Sequence, residues 1–398
     1  MVQYRIIEDI AEFEKTLPVW EKMLADTPVD TIFLTHPYIR VWWKHFGKDR
    51  RLFIVLIEDS GKLVAAAPFC ILHRRFFGLT FRIMEIIGSG PVPSRPMGLS
   101  DRSVLPVRPD REDALEKIYE ILMTHRSRWD IIYLRGIHFT EQFSCEEFKH
   151  WFASRGQTVF SRPRYRSPYL PISGTFESYK RHRSGNFRKQ LARYKRKLLE
   201  RGAVEIEPGE AMLPDDLMKE IYDLVLQSPK GVRGTALFLD RQLRCFFRDI
   251  FSAFQKRGWL WARFLKSGDK RIAYEICFHY DNKLFSYNSC YDRNYRNISP
   301  GVLLTASIVE EAFSSGLSEY DMLRGEEPYK KRWSSTAREE FEVAIGPGTL
   351  RCRLFIAFQM RLKPWVKTHG NLARFYERVR LWCRKLFTKK SVYPADGP

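Results

Sequence analysis

The apolar positions of this chain fall into two similar series. Residues 51–67, RLFIVLIEDSGKLVAAA, read as an apolar strand, a Ser-Gly turn and a second apolar strand entered through a basic residue. Residues 259–275, WLWARFLKSGDKRIAYE, repeat that plan. A glycine at the tip supplies the positive φ that a tight hairpin needs. Each hairpin is followed by an amphipathic helix, ALEKIYEILMTH at 114–125 and VLLTASIVEEAFSSG at 302–316. Each helix leads to a strand ending in Leu-Arg-Gly, WDIIYLRG at 129–136 and SEYDMLRG at 318–325. The same order in both halves predicts an internal duplication.

The second half reads in more detail. VEIE at 204–207 is a short strand, and DDLMKEIYDLVLQ and LFLDRQLRCFFRDIFSAFQKRG are helices. WLWARFLK, RIAYEICFHY and KLFSYNSCY form an antiparallel meander, a helix opens at Pro300-Gly301, and the strand EYDMLRG follows. Three antiparallel strands, a crossover helix and another strand make a mixed sheet. The expected architecture is therefore α/β (α+β). It has two similar units at 1–165 and 166–350, with mixed, largely antiparallel sheets flanked by helices, and a helical tail at 351–398.

Composition narrows the class. The chain has 398 residues, of which 44% are hydrophobic, enough for two or three globular domains with sizeable cores. Its net charge of +20 calls for an anionic partner: nucleic acid, acidic lipid or a phosphate-bearing ligand. That charge is local. Residues 161–202 and residues 351–390 each carry a net +11, and the remainder is close to neutral. In the first segment, Phe187, Leu191, Tyr194 and Leu198 recur at helical spacing among Arg188, Lys189, Arg193, Lys195, Arg196 and Lys197. This is either a solvated helix face or a surface that meets phosphates. In the second, Leu372, Phe375, Tyr376, Val379, Trp382, Cys383 and Leu386 give a broad apolar face beyond the break at Pro364. Such a helix can dock on its own protein or lie in an anionic membrane interface.

Other classes recede. The seven cysteines are scattered, with no C-x-x-C pair, so neither a metal site nor a disulfide framework is expected and a reducing cytoplasm fits. The start, MVQYRIIEDIAEFEK, has no basic head followed by an apolar run, so no signal peptide is expected. No uncharged apolar run reaches the ~18 residues that a membrane-spanning helix needs.

The clearest chemical motif is the helix start after the meander. Ser299 is an expected N-cap, Pro300 suits the first helical position, and Gly301 lets a ligand approach the backbone. Free N–H groups of Gly301, Val302 and Leu303 would then form a pyrophosphate site, with an ordinary capped helix as the plain alternative.

Here the sequence resembles a known family. AYEICFHYDNKLFSYNSCYDRNYRNISPGVLL, followed by GLSEYDMLRGEEPYKKRW, is similar to the acetyltransferase domain of the cellulose-biosynthesis (CelD-like) group. That group belongs to the GNAT acyltransferase superfamily, close to the Fem-type peptidoglycan aminoacyltransferases. The features are Ala273-Tyr-Glu275, Tyr291-Asp292, Ser299-Pro-Gly301, Asp321, Gly325 and Tyr329-Lys330 with Trp333. The likeness is strongest over about 260–335, runs loosely from 185, and matches the N-terminal half in layout. Fem-type proteins also carry tandem GNAT units. The resemblance implies that acyl-CoA, such as acetyl-CoA, enters by Gly301, with its pantetheine between the meander and EYDMLRG. Where the superfamily loop has glycines spaced Q/R-x-x-G-x-G/A, this chain has Arg296-Asn-Ile-Ser-Pro-Gly301.

Acyl transfer needs a base for the acceptor's proton, donors for the oxyanion and an acid for the leaving thiolate. Glu275 lies on an otherwise apolar strand, where a carboxylate is costly unless paired or functional, so it is the candidate base or a structural partner for an arginine. Lys330 matches the Fem-type lysine that meets substrate phosphate or developing charge; otherwise it is one solvent-facing lysine beside Lys331 and Arg332. Tyr287, Tyr291 and Tyr329 are candidate acids, His279 a reserve base, and Asp321 a possible anchor of the Gly325 turn. The expected activity is transfer of an acyl group from acyl-CoA to an amine or hydroxyl, in polysaccharide or cell-envelope biosynthesis. The N-terminal unit is expected to be degenerate and to wall the acceptor cleft. Two rivals remain: an aminoacyl-tRNA-dependent transferase, with 185–201 tracking RNA, and a non-catalytic basic scaffold at an anionic membrane.

Overall fold

The computed structural model describes residues 2–366 apart from 77, 94, 96, 140–143, 203, 363 and 364. The two predicted series are present. In the first half, β1 (Val2–Ile7), β2 (Arg50–Asp59), β3 (Lys62–Phe76) and β4 (Leu79–Ile86) form an antiparallel meander. The helix Glu112–Thr124 then crosses over to β5 (Ile131–Ile137), which runs parallel to β4. After β5 comes the long strand β6 (Gln157–Pro171). In the second half, β7 (Val204–Pro208), β8 (Leu260–Ser267), β9 (Lys270–Tyr280) and β10 (Lys283–Tyr291) repeat the meander. The helix Pro300–Ser314 crosses to β11 (Glu319–Asp321), parallel to β10, and β12 (Ala337–Pro347) follows.

The halves share one mixed sheet of twelve strands, in the order β1-β2-β3-β4-β5-β12-β6-β11-β10-β9-β8-β7. β12 follows the second half in sequence but pairs with β5 of the first, and β6 follows the first half but pairs with β11 of the second. The two returning strands also pair with each other, from Ala337↔Pro168 to Pro347↔Gln157. This exchange covers the open edges of β5 and β11, which would otherwise expose unpaired N–H and C=O groups. Position 165/166, where the sequence suggests a boundary, falls inside β6.

The expected strand EYDMLRG is ordered as a strand only at Glu319–Asp321. The Asp321 carboxylate accepts from the Leu323 N–H at 2.8 Å, and Leu323 takes a left-handed φ of 55°. That turn ends the ladder. The tail begins as the helix Leu350–Ala357, whose Cys352, Phe355 and Ile356 pack into a small core with Phe81, Ile83 and Ala344. The expected helix at 371–387 lies outside the described residues.

One connection differs sharply between the halves. The second half passes from β10 to its crossover helix through 292–299; the first half spends 87–111 on the same step. The longer segment enters its own half's sheet, where the Ser103 N–H donates to the Gly136 carbonyl at 2.7 Å and the His138 N–H to the Ser103 carbonyl at 2.8 Å. It also reaches the second half, and so forms part of the site below.

Candidate functional site

The parallel pairing of β10 and β11 ends at Phe285↔Asp321. Just beyond, β10 slips register against β9 between Ser286 and Asn288. A bulge of this kind bends the strand and re-aims its side chains. The gap between β10 and the turn after β11 is walled by the crossover helix Pro300–Ser314.

Glu275, on β9, is almost wholly buried and its side chain meets β10, β11 and the crossover helix. One carboxylate oxygen accepts from the Ser286 hydroxyl at 2.6 Å and from the Tyr320 phenol; the other accepts from the Thr305 hydroxyl at 2.7 Å. Its partners are three hydroxyls from three elements and, at 3.6 Å, the Cys277 thiol on its own strand; no arginine is among them. A buried carboxylate needs this number of bonds to be tolerated. Burial and the carboxylate beside it push the Tyr320 phenol far above its usual range.

The donor side departs from the expected helix start. Ser299 sits in the left-handed region, φ 49° and ψ 56°, and its side chain makes no cap bond. The Ser299 hydroxyl, near the Tyr194 phenol, holds that group's pKa below its usual range. The turned Ser299 carbonyl accepts from the Val302 N–H at 3.0 Å and the Leu303 N–H at 3.4 Å. Those two groups, expected to be free, are therefore engaged. Gly301 keeps its N–H clear of carbonyl partners among the described residues, and the nearest atom to a Cβ built there is Tyr291 Cδ1 at 3.8 Å. Arg293 and Arg296 are exposed just before this start. One free N–H, open space and two exposed arginines in the preceding turn still fit a pyrophosphate.

Lys330 is not solvent-facing. It is 5% exposed, and its ammonium donates to the Leu323 carbonyl at 3.2 Å and the Arg324 carbonyl at 2.7 Å, with Glu327 at 3.1 Å. It clasps the turn after β11 and has no donor left for a ligand. Tyr329 beside it is 43% exposed, and its phenol is raised by partial burial and by the charges of Glu327 and Glu275. Tyr287 donates to the Leu99 carbonyl at 2.8 Å, which makes it a tie between the halves. His279 is held below its usual pKa by burial and faces the Trp261 ring edge-on.

The opposite wall comes from the long 87–111 segment. Arg324 pairs with Asp101 at 2.5 Å and donates to the Gly98 carbonyl at 2.6 Å. Buried Arg102 reaches Asp321 at 3.0 Å and Asp30 at 3.1 Å. Asp321 thus anchors the turn and also joins the halves. Glu340 on β12 completes the cluster; burial and the nearby Asp101 raise its pKa to about 7. A cavity of about 440 Å³ lies between this segment and the 230–237 loop, lined by Arg95, Lys230, Arg233, Thr235, Leu237 and Asn288. Its lining has three cations and no acid. Apart from Asp321, whose anchoring of the turn the sequence suggests, these groups escape sequence reasoning; the signal for Arg324 is its place in the repeated Leu-Arg-Gly. Its counterpart Arg135 likewise holds a buried acid, Glu85, at 2.6 Å.

Among the described residues no cluster of three or more His, Cys, Asp or Glu is placed to hold a metal. No helix there is long and apolar enough to cross a membrane.

Residues 185–331 match a family model described as an acetyltransferase (GNAT) domain. No curated protein matches the sequence. Among solved structures, FemX is similar with a TM-score of 0.58 at 10% identity, over 85% of this chain and 96% of that one. A tandem GNAT protein from the clavulanic acid biosynthesis pathway aligns at 0.48 and 12% identity, over 88% of this chain and 100% of that one. The C-terminal domain of a putative lysylphosphatidylglycerol synthetase from Agrobacterium fabrum aligns at 0.49 and 10%, over 86% and 95%. At such identities the FemX likeness is one of fold. Residues 185–331 are therefore similar to a GNAT-type acetyltransferase domain, in a chain whose fold as a whole is similar to that of FemX.

Proposed function

We propose that this protein transfers an acyl group from acyl-CoA to an amine or hydroxyl acceptor in the gap between β10 and the turn after β11. The observation that carries this reading is Glu275, held by three hydroxyls beside the start of the crossover helix. The donor's pyrophosphate lies at Gly301, with the exposed Arg293 and Arg296 of the preceding turn available to it. The acceptor attacks the thioester carbonyl, the C–S bond breaks, and the acceptor's proton passes through the Ser286 hydroxyl to Glu275. Tyr291 or Tyr329 returns a proton to the thiolate. Lys330 acts as a positioning residue, holding the turn that presents Tyr329. The 1–165 half serves as the wall of the acceptor cleft, through the 87–111 segment, and 166–350 as the catalytic unit.

The three-cation cavity favours an acceptor that carries phosphate or carboxylate, and a polysaccharide or envelope precursor suits it. The test is calorimetric titration of acetyl-CoA into the full chain and into Gly301→Asp. The open space at Gly301 lets the variant fold, while the new carboxylate repels the pyrophosphate, so donor affinity falls at least tenfold. Equal affinity in a folded variant removes the donor from this helix start. The exposed cations of the helix Gly185–Leu199 favour a second reading, an aminoacyl-tRNA donor. Salt-sensitive tRNA binding without acyl-CoA binding would select it.

A further inference from the structure

The helix Gly185–Leu199 is divided lengthwise. Phe187, Leu191, Tyr194 and Leu198 recur at helical spacing and form its inner side. Phe187 and Leu198 are buried, Leu191 packs against the same core, and the Phe187 ring meets Trp333 edge-on at 5.1 Å. The outer side carries Arg188, Lys189, Arg193, Lys195 and Arg196, all exposed, along about 22 Å of helix. Among the described residues the one ion pair that these cations make is Arg196 with Glu200, at 3.7 Å.

This face adjoins the donor end of the site. Arg201, just past the helix, donates to the Asn297 side-chain carbonyl at 3.4 Å and lies over the Tyr295 ring, fastening the helix to the turn at 293–298. Arg293 and Arg296 are exposed on that turn. The Tyr194 phenol is held below its usual pKa by the Ser299 hydroxyl, and further by the Arg193 and Arg332 charges. Cations of three segments thus share the neighbourhood of Ser299, two residues before Gly301.

We infer, resting on a donor that enters at Gly301 as proposed above, that this face docks an acidic carrier protein bearing the acyl group on a phosphopantetheine arm. Coenzyme A and such a carrier share the pantetheine and the phosphate next to it. On the carrier that phosphate is a single phosphodiester to a serine, which suits a helix start whose Val302 and Leu303 N–H groups are already engaged. The rest of the handle is then protein, whose acidic side chains meet the exposed cations of the helix. The transfer step is unchanged, and the free thiol is left on the arm. RNA fits this face less well. Bound bases stack on exposed rings, and both rings of the helix, Phe187 and Tyr194, lie on its inner side. The outer side adds Ala192 and Leu199, the latter 55% exposed, which suit a protein surface. A second copy would oppose cation to cation. The chain's own 367–398 would do the same, with eight Lys and Arg against Glu377 and Asp396.

The experiment is calorimetric titration of the full chain with a bacterial acyl carrier protein, acetylated on its arm or in the apo form, and with acetyl-CoA. The acetylated carrier is expected to bind, more weakly as salt rises, and the apo form to bind less tightly. Arg188→Glu/Lys189→Glu/Lys195→Glu reverses three exposed charges that have no ion-pair partner among the described residues. Its melting temperature holds, carrier affinity falls about tenfold, and acetyl-CoA affinity is kept. The neutral Arg188→Gln/Lys189→Gln/Lys195→Gln moves carrier affinity the same way by less. Gly301→Asp cancels the gain from the arm and weakens acetyl-CoA, with apo-carrier binding kept. A chain that binds acetyl-CoA but no carrier, or carrier binding indifferent to both charge variants, overturns the inference and leaves the donor reading standing. Acetyl-CoA affinity that falls with carrier affinity in the charge variants also overturns it, giving the face to the coenzyme's nucleotide end. So does tRNA bound more tightly than the carrier, which gives the face to RNA. Acetyl-CoA binding untouched by Gly301→Asp is the separate failure of the donor site, and the inference falls with it.

Discussion

Exchanging Glu275 for Gln keeps the shape of the side chain and removes its charge. In the structure the carboxylate accepts from Ser286, Thr305 and Tyr320, so each bond is charge-assisted. Hydrogen bonds to a charged group contribute ~1.5–3 kcal/mol and neutral ones ~1 kcal/mol, so three weakened bonds predict a loss of roughly 2–4 kcal/mol. The Gln amide also has two N–H groups to satisfy among hydroxyls that previously donated. Only the hydroxyls that can turn will accept them. The variant should therefore fold, with a melting temperature several degrees lower. Catalysis should suffer more. General-base transfer is worth about 10²–10⁴-fold, and turnover should fall by that order while donor affinity holds. Until the acceptor is known, slow hydrolysis of acetyl-CoA serves as the assay, followed by the fall in thioester absorbance. Ser286→Ala, which removes the relay hydroxyl and spares the carboxylate, should fall by a similar factor with a smaller stability loss. Wild-type turnover in a folded Glu275→Gln would refute the role of the carboxylate and leave it as a structural acceptor for the three hydroxyls.

Two further outcomes follow from buried groups. Lys330→Met strips the Leu323 and Arg324 carbonyls of their donor, so it should cost about 1–3 kcal/mol and displace Tyr329. In steady-state assays it lowers kcat/KM for the acceptor while acetyl-CoA affinity by calorimetry is kept; unchanged kinetics would free Tyr329 of any role. Glu340 has a folded pKa raised from 4.5 to about 7, so the folded state binds more protons than the unfolded state in that window, and stability through this group falls as pH rises across it. Glu340→Gln mimics the protonated form and should gain a few kcal/mol on the wild type between about pH 5 and pH 8 in denaturant titrations. A constant difference over that range would contradict the placement of its pKa.

Much of this site is readable along the chain. A glutamate in RIAYEICFHY stands out because its neighbours on the strand are apolar, and the structure buries it as that pattern demands. The hairpins, the crossover helices and the first Leu-Arg-Gly strand are legible for the same reason. Each is a local periodicity, set by which face of one element turns to the core. Lys330 is misread by this logic. It lies in a run of three cations, and only the carbonyls of Leu323 and Arg324, brought back by a turn, make it a buried clasp. Ser299 is misread similarly, because a left-handed φ at a non-glycine residue leaves little trace in sequence.

The sequence by itself determined the duplicated order of elements, the buried carboxylate and the two cationic segments. All of these depend on residues near one another in the chain. The tertiary structure alone decided that β6 and β12 change places between the halves, because strand pairing rewards the covering of an open edge, whichever half of the chain supplies the strand. It alone placed the irregular 87–111 segment against the second half, where Asp101 and Arg102 find Arg324 and Asp321 more than 200 residues away. Charges so far apart in sequence meet only after the sheet has formed, and no periodicity along the chain records them.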